Sequence, residues 1–207
     1  MPEITGVQER RGRVRIFVDG EFWAEIDAAV AAERGLREGT SLGNEELREA
    51  RIAGERALAM SRVLGYLGYR SRSEKEVRER LRRYGYGEET VDSVVGRLEE
   101  LGYLDDEDFA RLLARGKARK RYGSRRVSAE LRRSGVGAEL AEKVVAEEFA
   151  GKSEKEEARS VATQRYNRVG SEAEARRVYG FLVRRGYSSE VCAEVASEYR
   201  EASGAGE

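Results

Sequence analysis

Hydrophobic and polar residues alternate along the first 27 residues of the chain, as they do in a strand with one buried face. Two alternating runs, 13–18 and 21–26, flank Asp19-Gly20. An Asp-Gly pair favours a type I′ turn because both central residues of that turn need positive φ. The pattern therefore predicts a small N-terminal β-hairpin, to which residues 4–8 would add a third strand.

The pattern changes to a helical one after the hairpin. Residues 28–34 predict a short helix that ends at Gly35, and residues 45–56 begin another helix. From residue 57 onward the hydrophobic period is about 3.6 throughout, and no proline follows Pro2 to interrupt a helix. The rest of the chain is therefore predicted to be helical.

The helical part repeats itself along the chain. A Leu-x-x-x-Gly anchor recurs at Leu81, Leu131 and Leu182, and its glycines lie 50 and 51 residues apart. A Val precedes each of these leucines by four positions, and a Glu follows each of the glycines by four. A register held over so many positions indicates repeated supersecondary units.

Each repeat is predicted to hold three helices around a shared core, because helices of about ten residues are marginal alone. In the first repeat we expect the buried stripe to include Leu64 and Leu101. Capping boxes should begin helices at Ser73, Ser153 and Ser171, since each serine is followed by Glu three residues later. The glycine of each anchor should end a helix in the left-handed conformation.

The predicted fold is therefore an elongated all-α body of three tandem three-helix repeats with a small N-terminal β-hairpin. The predicted divisions are residues 1–56 for the hairpin and short helices, 57–104, 105–151 and 152–201 for the three repeats, and 202–207 for a disordered tail.

Composition excludes several classes of chemistry. The 207 residues include no His and a single Cys, so neither a Cys/His zinc site nor a Ser-His-Asp triad nor an internal disulfide can form. No phosphate loop of the Gly-x-x-x-x-Gly-Lys-Ser/Thr type occurs, and no apolar run approaches the length of a membrane span. We expect a cytoplasmic, non-enzymatic protein without cofactor or metal.

Two further features admit a chemical and a structural interpretation. The acidic cluster 105–108 could bind a metal, but acidic residues also favour a helix N-terminus, and capping by Asp105 is the stronger interpretation. Cys192 could be a nucleophile, but it occupies the same register position as Val91 and Ala141 and is expected in the core. Tyrosines beside the helix ends could stack on bases or, more commonly, lie half-buried at interhelix corners.

Charge is distributed unevenly along a chain whose 39 basic and 39 acidic residues balance. Residues 111–133 contain ten basic residues and one acidic residue, which exceeds what a helix C-terminus requires. This segment is therefore a candidate contact surface for nucleic acid or an acidic protein. The candidate residues are Arg115, Lys117, Arg119, Lys120, Arg121, Arg125, Arg126, Arg132 and Arg133.

The two basic groups of this segment flank a short turn. We expect the turn to bring Arg115, Arg119 and Lys120 onto a common side with Arg125 and Arg126. In this interpretation Gly123 supplies backbone freedom and Ser124 caps the second helix.

Three segments of the helical part form a recognisable pattern: 66–74 (YLGYRSRSE), 101–110 (LGYLDDEDFA) and 123–127 (GSRRV), followed by Leu131 and Gly135-Val136. In these segments the chain resembles the bacterial RecX family, whose members modulate the RecA recombinase. The resemblance implies a monomeric protein of DNA repair, homologous recombination and the SOS response. Such a protein would bind the groove of the RecA filament on single-stranded DNA and limit filament growth, with at most weak DNA binding of its own.

Two alternatives belong to other classes. Trios of short helices also resemble helix-turn-helix units, so the chain could be a stand-alone DNA-binding protein. A hydrolase using the acidic cluster is the other alternative, and metal titration would expose it.

Overall fold

The computed structural model describes residues 1–167 and 170–201 of the chain. The strands are β1 (Ile4–Arg10), β2 (Arg13–Val18) and β3 (Glu21–Asp27). The helices are α1 (Ala28–Glu33), α2 (Asn44–Leu67), α3 (Glu74–Arg83), α4 (Glu88–Glu100), α5 (Asp106–Arg119), α6 (Ser124–Arg133), α7 (Ala138–Phe149), α8 (Glu154–Thr163), α9 (Glu172–Arg185) and α10 (Ser189–Glu201). The prediction of a mostly helical chain with a small N-terminal β segment is thus confirmed. The predicted tail, 202–207, lies outside the described residues. None of the described helices combines the length and apolar character that crossing a bilayer requires.

The N-terminal segment is an antiparallel sheet of order β1-β2-β3, which confirms the third strand as well as the hairpin. Asp19 and Gly20 both have positive φ, at 49° and 86°, as the predicted turn requires. The turn between β1 and β2 has the same character, with positive φ at Arg11 and Gly12. The inner face of the sheet packs against α2, and Gly54 lies where a Cβ would come within 2.4 Å of Ile26.

Residues 44–67 form one continuous helix, whereas the sequence suggested separate segments on either side of residue 57. The predicted division between 56 and 57 therefore falls inside α2. Because this helix packs on β3, α3 and α4 together, its buried face is set by Leu58, Ala59 and Val63. Leu64 lies outside that face and is 38% exposed, so its placement in the stripe was wrong.

Helices α2 to α4 share one core, which we call the first trio. Val77 and Leu81 of α3 pack there with hydrophobic residues of α4 and with Val63. Leu101 was expected on the same stripe but is 48% exposed, because α4 ends there and Gly102 turns the chain away with φ of 71°.

Helices α5 to α7 form a second trio and helices α8 to α10 a third, each with its own buried core. The anchor leucines Leu81, Leu131 and Leu182 are all fully buried. The glycine that follows each of them has φ between 89° and 92°, which confirms the left-handed helix ends. The number of equivalent repeats stays a prediction.

The three serines begin their helices as N-caps, and the predicted capping box is confirmed at Ser73. Ser73 accepts from the Glu76 amide while the Glu76 carboxylate accepts from the Ser73 amide, so this capping box is complete. Ser153 and Ser171 accept from the amides three residues later, at 3.3 Å and 3.1 Å. By contacts the chain divides into two compact units, Met1–Asp105 and Asp106–Glu207.

Candidate functional site

Eight of the nine candidate basic residues fall into three groups by what their side chains contact, and the ninth, Arg133, lines the groove described below. Arg115, Arg119 and Lys120 are exposed near the end of α5, and within the described part of the chain no carboxylate pairs with any of the three. Their charge is therefore presented to solvent. Arg115 lines a cleft between α5 and α7 beside Glu147 and Glu148, whereas Arg125 and Arg126 line a different one. A common side for the two basic groups stays a prediction.

Two other candidates are paired within the second trio. The Lys117 ammonium binds the carboxylate of Glu130 on α6, and Arg132 binds Glu142 on α7 at 3.2 Å. Each pair places a carboxylate beside a cation and so neutralises part of the positive charge of the basic segment. Exposed ion pairs of this kind contribute little to the free energy of unfolding.

Three further arginines, one in the turn and two on α6, contact the third trio. Arg121 donates to the Ser160 hydroxyl at 2.7 Å, and Arg125 donates to the Ser189 hydroxyl at 3.1 Å. Arg126 donates to the main-chain oxygen of Arg184 at 2.7 Å. These three side chains join the two trios of the second unit, a role that the sequence did not indicate.

The turn before α6 differs from its expected form. Gly123 caps the helix with an ordinary φ of −70°, and Ser124 is the first helical residue, so the serine is not the cap. Glycine is needed there for space, since a Cβ on Gly123 would lie 2.3 Å from the Gly186 carbonyl oxygen. The two backbones are bonded at this point, because the Gly123 amide donates to the Arg185 oxygen at 2.9 Å.

A groove lies between α6 and α9, and we call it the α6–α9 groove. Its basic lining comes from Arg125, Arg126 and Arg133 on one side and Arg184 on the other. The remaining lining is Ala129, Glu130, Val183 and Gly186. Glu130, its one carboxylate, already binds Lys117, so the groove keeps a net positive charge.

Arg184 lines the groove but was not among the residues predicted from the sequence. It lies two residues after the anchor leucine Leu182, where the other repeats have Arg83 and Arg133. The repeat register therefore contained a signal for Arg184.

Two tyrosines contact basic residues where the second and third trios meet. Tyr122, which is half-buried, has the guanidinium of Arg126 4.4 Å and that of Arg185 5.0 Å from its ring centre. Such cation–π contacts hold planar cations at defined positions. Tyr187 is 2% exposed and donates to the Arg121 oxygen at 2.9 Å, and burial raises the pKa of its hydroxyl to about 12.

The tyrosines do not follow one rule. Tyr66 and Tyr86 are half-buried as expected for corner residues, whereas Tyr187 is fully buried. Tyr69 and Tyr103 are exposed by 88% and 56%, so the half-buried prediction was wrong for these two as it was for Tyr187.

The acidic cluster belongs to the start of α5. Asp106, Glu107 and Asp108 lie in its first turn, and the structure describes no grouping of three or more candidate ligands among residues 1–167 and 170–201 that would suit a metal ion. The Arg111 guanidinium and Lys143 bind the Glu107 carboxylate and lower its pKa. These side chains thus form a surface ion-pair network.

Cys192 is fully buried in the core of the third trio, as its register position predicted. Its thiol donates to the Tyr187 oxygen at 3.7 Å, and burial raises the pKa of the thiol to about 11. A protonated, inaccessible thiol is a packing residue and not a nucleophile.

Comparison with known proteins identifies the family. Residues 59–98 match the family described as "RecX, first three-helix domain", and residues 105–145 match "RecX, second three-helix domain". The regulatory protein RecX of Lactobacillus gasseri is 35% identical over 150 residues, which cover 71% of this chain and 55% of that protein. The chain belongs to the RecX family. Another RecX-family relative, the regulatory protein RecX of Listeria innocua, is 28% identical over 199 residues that cover 94% of this chain and 74% of that protein.

Solved RecX structures share the fold. A crystal structure of regulatory protein RecX superposes with a TM-score of 0.64 at 25% identity, covering 95% of this chain and all of that one. RecX from Lactobacillus salivarius gives a TM-score of 0.60 at 20% identity over 71% of this chain and 97% of that one, and this likeness concerns the fold alone. The chain spans about half the length of the Lactobacillus gasseri and Lactobacillus johnsonii RecX proteins that it matches.

Proposed function

We propose that this RecX-family chain is a non-enzymatic inhibitor of the RecA recombinase. It binds the RecA filament on single-stranded DNA, limits its growth and so lowers ATP hydrolysis, strand exchange and co-cleavage of LexA-type repressors. Support comes from the two matched RecX domains and from relatives that are named regulatory proteins. The DNA repair, recombination and SOS roles follow from this proposal.

The proposal rests on the basic lining of the α6–α9 groove. Four arginines line it around a single carboxylate that is already bound to Lys117. A filament with DNA along its axis and acidic side chains in its own groove offers the complementary charge. Arginine suits both, because its planar fork binds carboxylate and phosphate in the same two-point geometry.

The groove is also preorganised for binding. Its walls belong to different trios, but backbone bonds of Gly123 and Arg125 to the third trio hold them together. The Arg126 guanidinium is fixed between the Arg184 oxygen and the Tyr122 ring. Side chains that are ordered before binding lose less conformational entropy when a partner arrives.

Arg115, Arg119 and Lys120 form the second part of the proposed surface. They are exposed at the end of α5, and no carboxylate neutralises them within the described residues. Charges of this kind raise association rates at low salt without fixing the orientation of the partner. We therefore assign affinity to the groove and steering to these three side chains.

The test compares RecA-catalysed ATP hydrolysis on single-stranded DNA with and without the chain. Arg133→Ser combined with Arg184→Ser removes two charges from the groove and leaves the side chains of Arg125 and Arg126, which join the trios, unchanged. Inhibition should weaken by about tenfold or more, since interfacial arginines at desolvated positions commonly contribute above 1 kcal/mol each.

The matched control is Lys152→Ser combined with Lys155→Ser in the same unit. These lysines bind Glu148 and Glu194 at the surface, so their loss changes the net charge equally without touching the groove. Equal inhibition by the groove variant and the wild type would place the binding surface elsewhere. Tight binding to duplex DNA with no effect on RecA would instead favour a stand-alone DNA-binding protein with helix-turn-helix-like trios.

A further inference from the structure

The outer face of the N-terminal sheet carries a second basic surface that the helical trios do not share. On β2 the side chains of Val14 and Ile16 are buried, so Arg13 and Arg15 project from the opposite face. Register places Arg10 of β1 beside Arg13. The cleft on this face is lined by Arg10, Arg11, Arg13, Arg15, Phe22 and Glu25.

The charge of this cleft is strongly positive. Glu25 is its one acidic lining residue, and Arg13 and Arg62 bind that carboxylate at 3.2 Å and 3.3 Å. Arg10, Arg11 and Arg15 bind no carboxylate in the part of the chain that the structure describes. Three uncompensated guanidinium groups therefore surround a cleft on one small sheet.

An aromatic ring lies among these charges. Phe22 is a large apolar side chain on β3 and is 53% exposed, next to a shift in the β2–β3 register that pairs it with Phe17. Its ring makes an edge contact with Phe17 at 6.0 Å, and the Arg15 guanidinium lies 5.0 Å from its centre. Exposed aromatic rings beside arginines are the elements on which unpaired bases stack.

The turn between β1 and β2 lies at the edge of the cleft and has an unusual backbone conformation. Arg11 has φ of 52° at a turn position where Asn, Asp or Gly is usual, because a side chain with a full Cβ is strained there. An arginine at this position makes the turn less stable than Asn or Gly would, and it places a cation at the rim of the cleft.

We propose that the outer face of the β1–β3 sheet binds single-stranded nucleic acid, with Phe22 stacking on a base and Arg10, Arg11 and Arg15 contacting phosphates. A duplex hides its base faces, so it would use the arginines but not the ring. An acidic protein segment would likewise satisfy the charges and leave Phe22 without a role. This surface requires no RecA, and its test is separate from that of the α6–α9 groove.

The experiment measures fluorescence anisotropy of a labelled oligothymidylate of about thirty nucleotides with the full chain and no RecA. Phe22→Ala should weaken binding by about fivefold or more, and Phe22→Trp should retain it, because a larger ring still stacks. Thermal melting of each variant checks the fold, and Phe22 is exposed enough for the alanine variant to remain folded.

Arg11→Asn is the sharper variant, because Asn suits the left-handed turn position. It should melt at or above the wild-type temperature and yet bind more weakly, with a salt slope shallower by about 0.7 for one lost phosphate contact. The control is Arg34→Ser or Arg37→Ser, each of which removes one exposed charge of the same unit outside the cleft lining. An oligouridylate of equal length distinguishes RNA from DNA as the source of the strand.

The proposal is overturned by any of three results. These are no measurable binding of either oligonucleotide by the wild type, duplex binding as tight as single-strand binding, or unchanged binding by both Phe22→Ala and Arg11→Asn. Weaker binding by those two variants, with retention by Phe22→Trp and by the controls, supports it.

Discussion

Gly123 and Gly186 meet backbone to backbone at the junction of the second and third trios. A Cβ on Gly123 would lie 2.3 Å from the Gly186 oxygen, and a Cβ on Gly186 would lie 2.3 Å from the Cβ of Arg126. The same junction holds the bond from the Arg125 amide to the Gly186 oxygen at 3.2 Å. The α6–α9 groove therefore depends on two positions where no side chain fits.

Gly123→Ala should separate the two trios. Relieving the contact requires a backbone shift, because the nearest atoms are main-chain atoms that cannot rotate away, and we expect a loss of about 1–3 kcal/mol in the free energy of unfolding. Urea denaturation followed by circular dichroism measures this loss.

Gly137→Ala is the matched control for that change. Gly137 also caps a helix at negative φ, but no atom lies within 4 Å of its Cβ position. This variant loses the same capping preference without a clash. If both substitutions cost the same free energy, the close approach of the two trios contributes nothing.

Leu131→Ala tests the anchor that defines the repeat register. Leu131 is fully buried in the second trio, so its truncation should cost about 2–5 kcal/mol in unfolding free energy. Leu112→Ala on the neighbouring helix is the comparison, since Leu112 is 58% exposed and should lose far less. A thermal melt of Leu131→Ala that matches the wild type would contradict the assignment of the core.

Local rules account for the parts of the fold that the sequence predicted. The left-handed ends at Gly85, Gly135 and Gly186 follow from glycine placement, and the turn at Asp19-Gly20 follows from a dipeptide preference. The error at Leu64 has a tertiary origin, because α2 packs against a sheet and three helices at once. A helical stripe inferred from period alone cannot distinguish those neighbours.

The candidate site was predictable only in part. The excess of Arg between residues 111 and 133 is visible in the sequence, and the repeat register points to Arg184. What each arginine binds could not be predicted, because Ser160, Ser189 and the Arg184 oxygen lie 39 to 64 residues away along the chain. Contacts at that separation leave no local pattern.

The Cys192 thiol should be unreactive in the folded protein. Its pKa is raised from 9.0 to about 11, which lowers the thiolate fraction at pH 8 by about a hundredfold, and the side chain is fully buried. Labelling with a disulfide reagent should therefore be slow in buffer and rapid in guanidinium chloride. Equal rates under the two conditions would mean that the third trio opens readily or that the thiol is exposed.

Tyr187 should make the second unit sensitive to alkali. Its hydroxyl has a pKa of about 12 in the folded chain against about 10 in the unfolded chain, because burial disfavours the phenolate. The unfolded state therefore ionises first as pH rises. The stabilising contribution is complete below pH 10 and is lost between about pH 10 and 12, and it amounts to about 1–2 kcal/mol once solvent screening is allowed for.

Tyr187→Phe separates this effect from the hydrogen bond that the hydroxyl donates. At pH 8 the variant should be less stable by about 1 kcal/mol, because the bond to the Arg121 oxygen is lost while Arg185 still donates to that oxygen at 2.9 Å. Since phenylalanine cannot ionise, the difference should shrink and then reverse as pH rises above 10. Urea denaturation at intervals from pH 8 to 11.5 measures both curves, and Tyr103→Phe at a 56% exposed site should follow the wild type. Parallel curves for wild type and Tyr187→Phe would show that the buried hydroxyl ionises at its ordinary pKa.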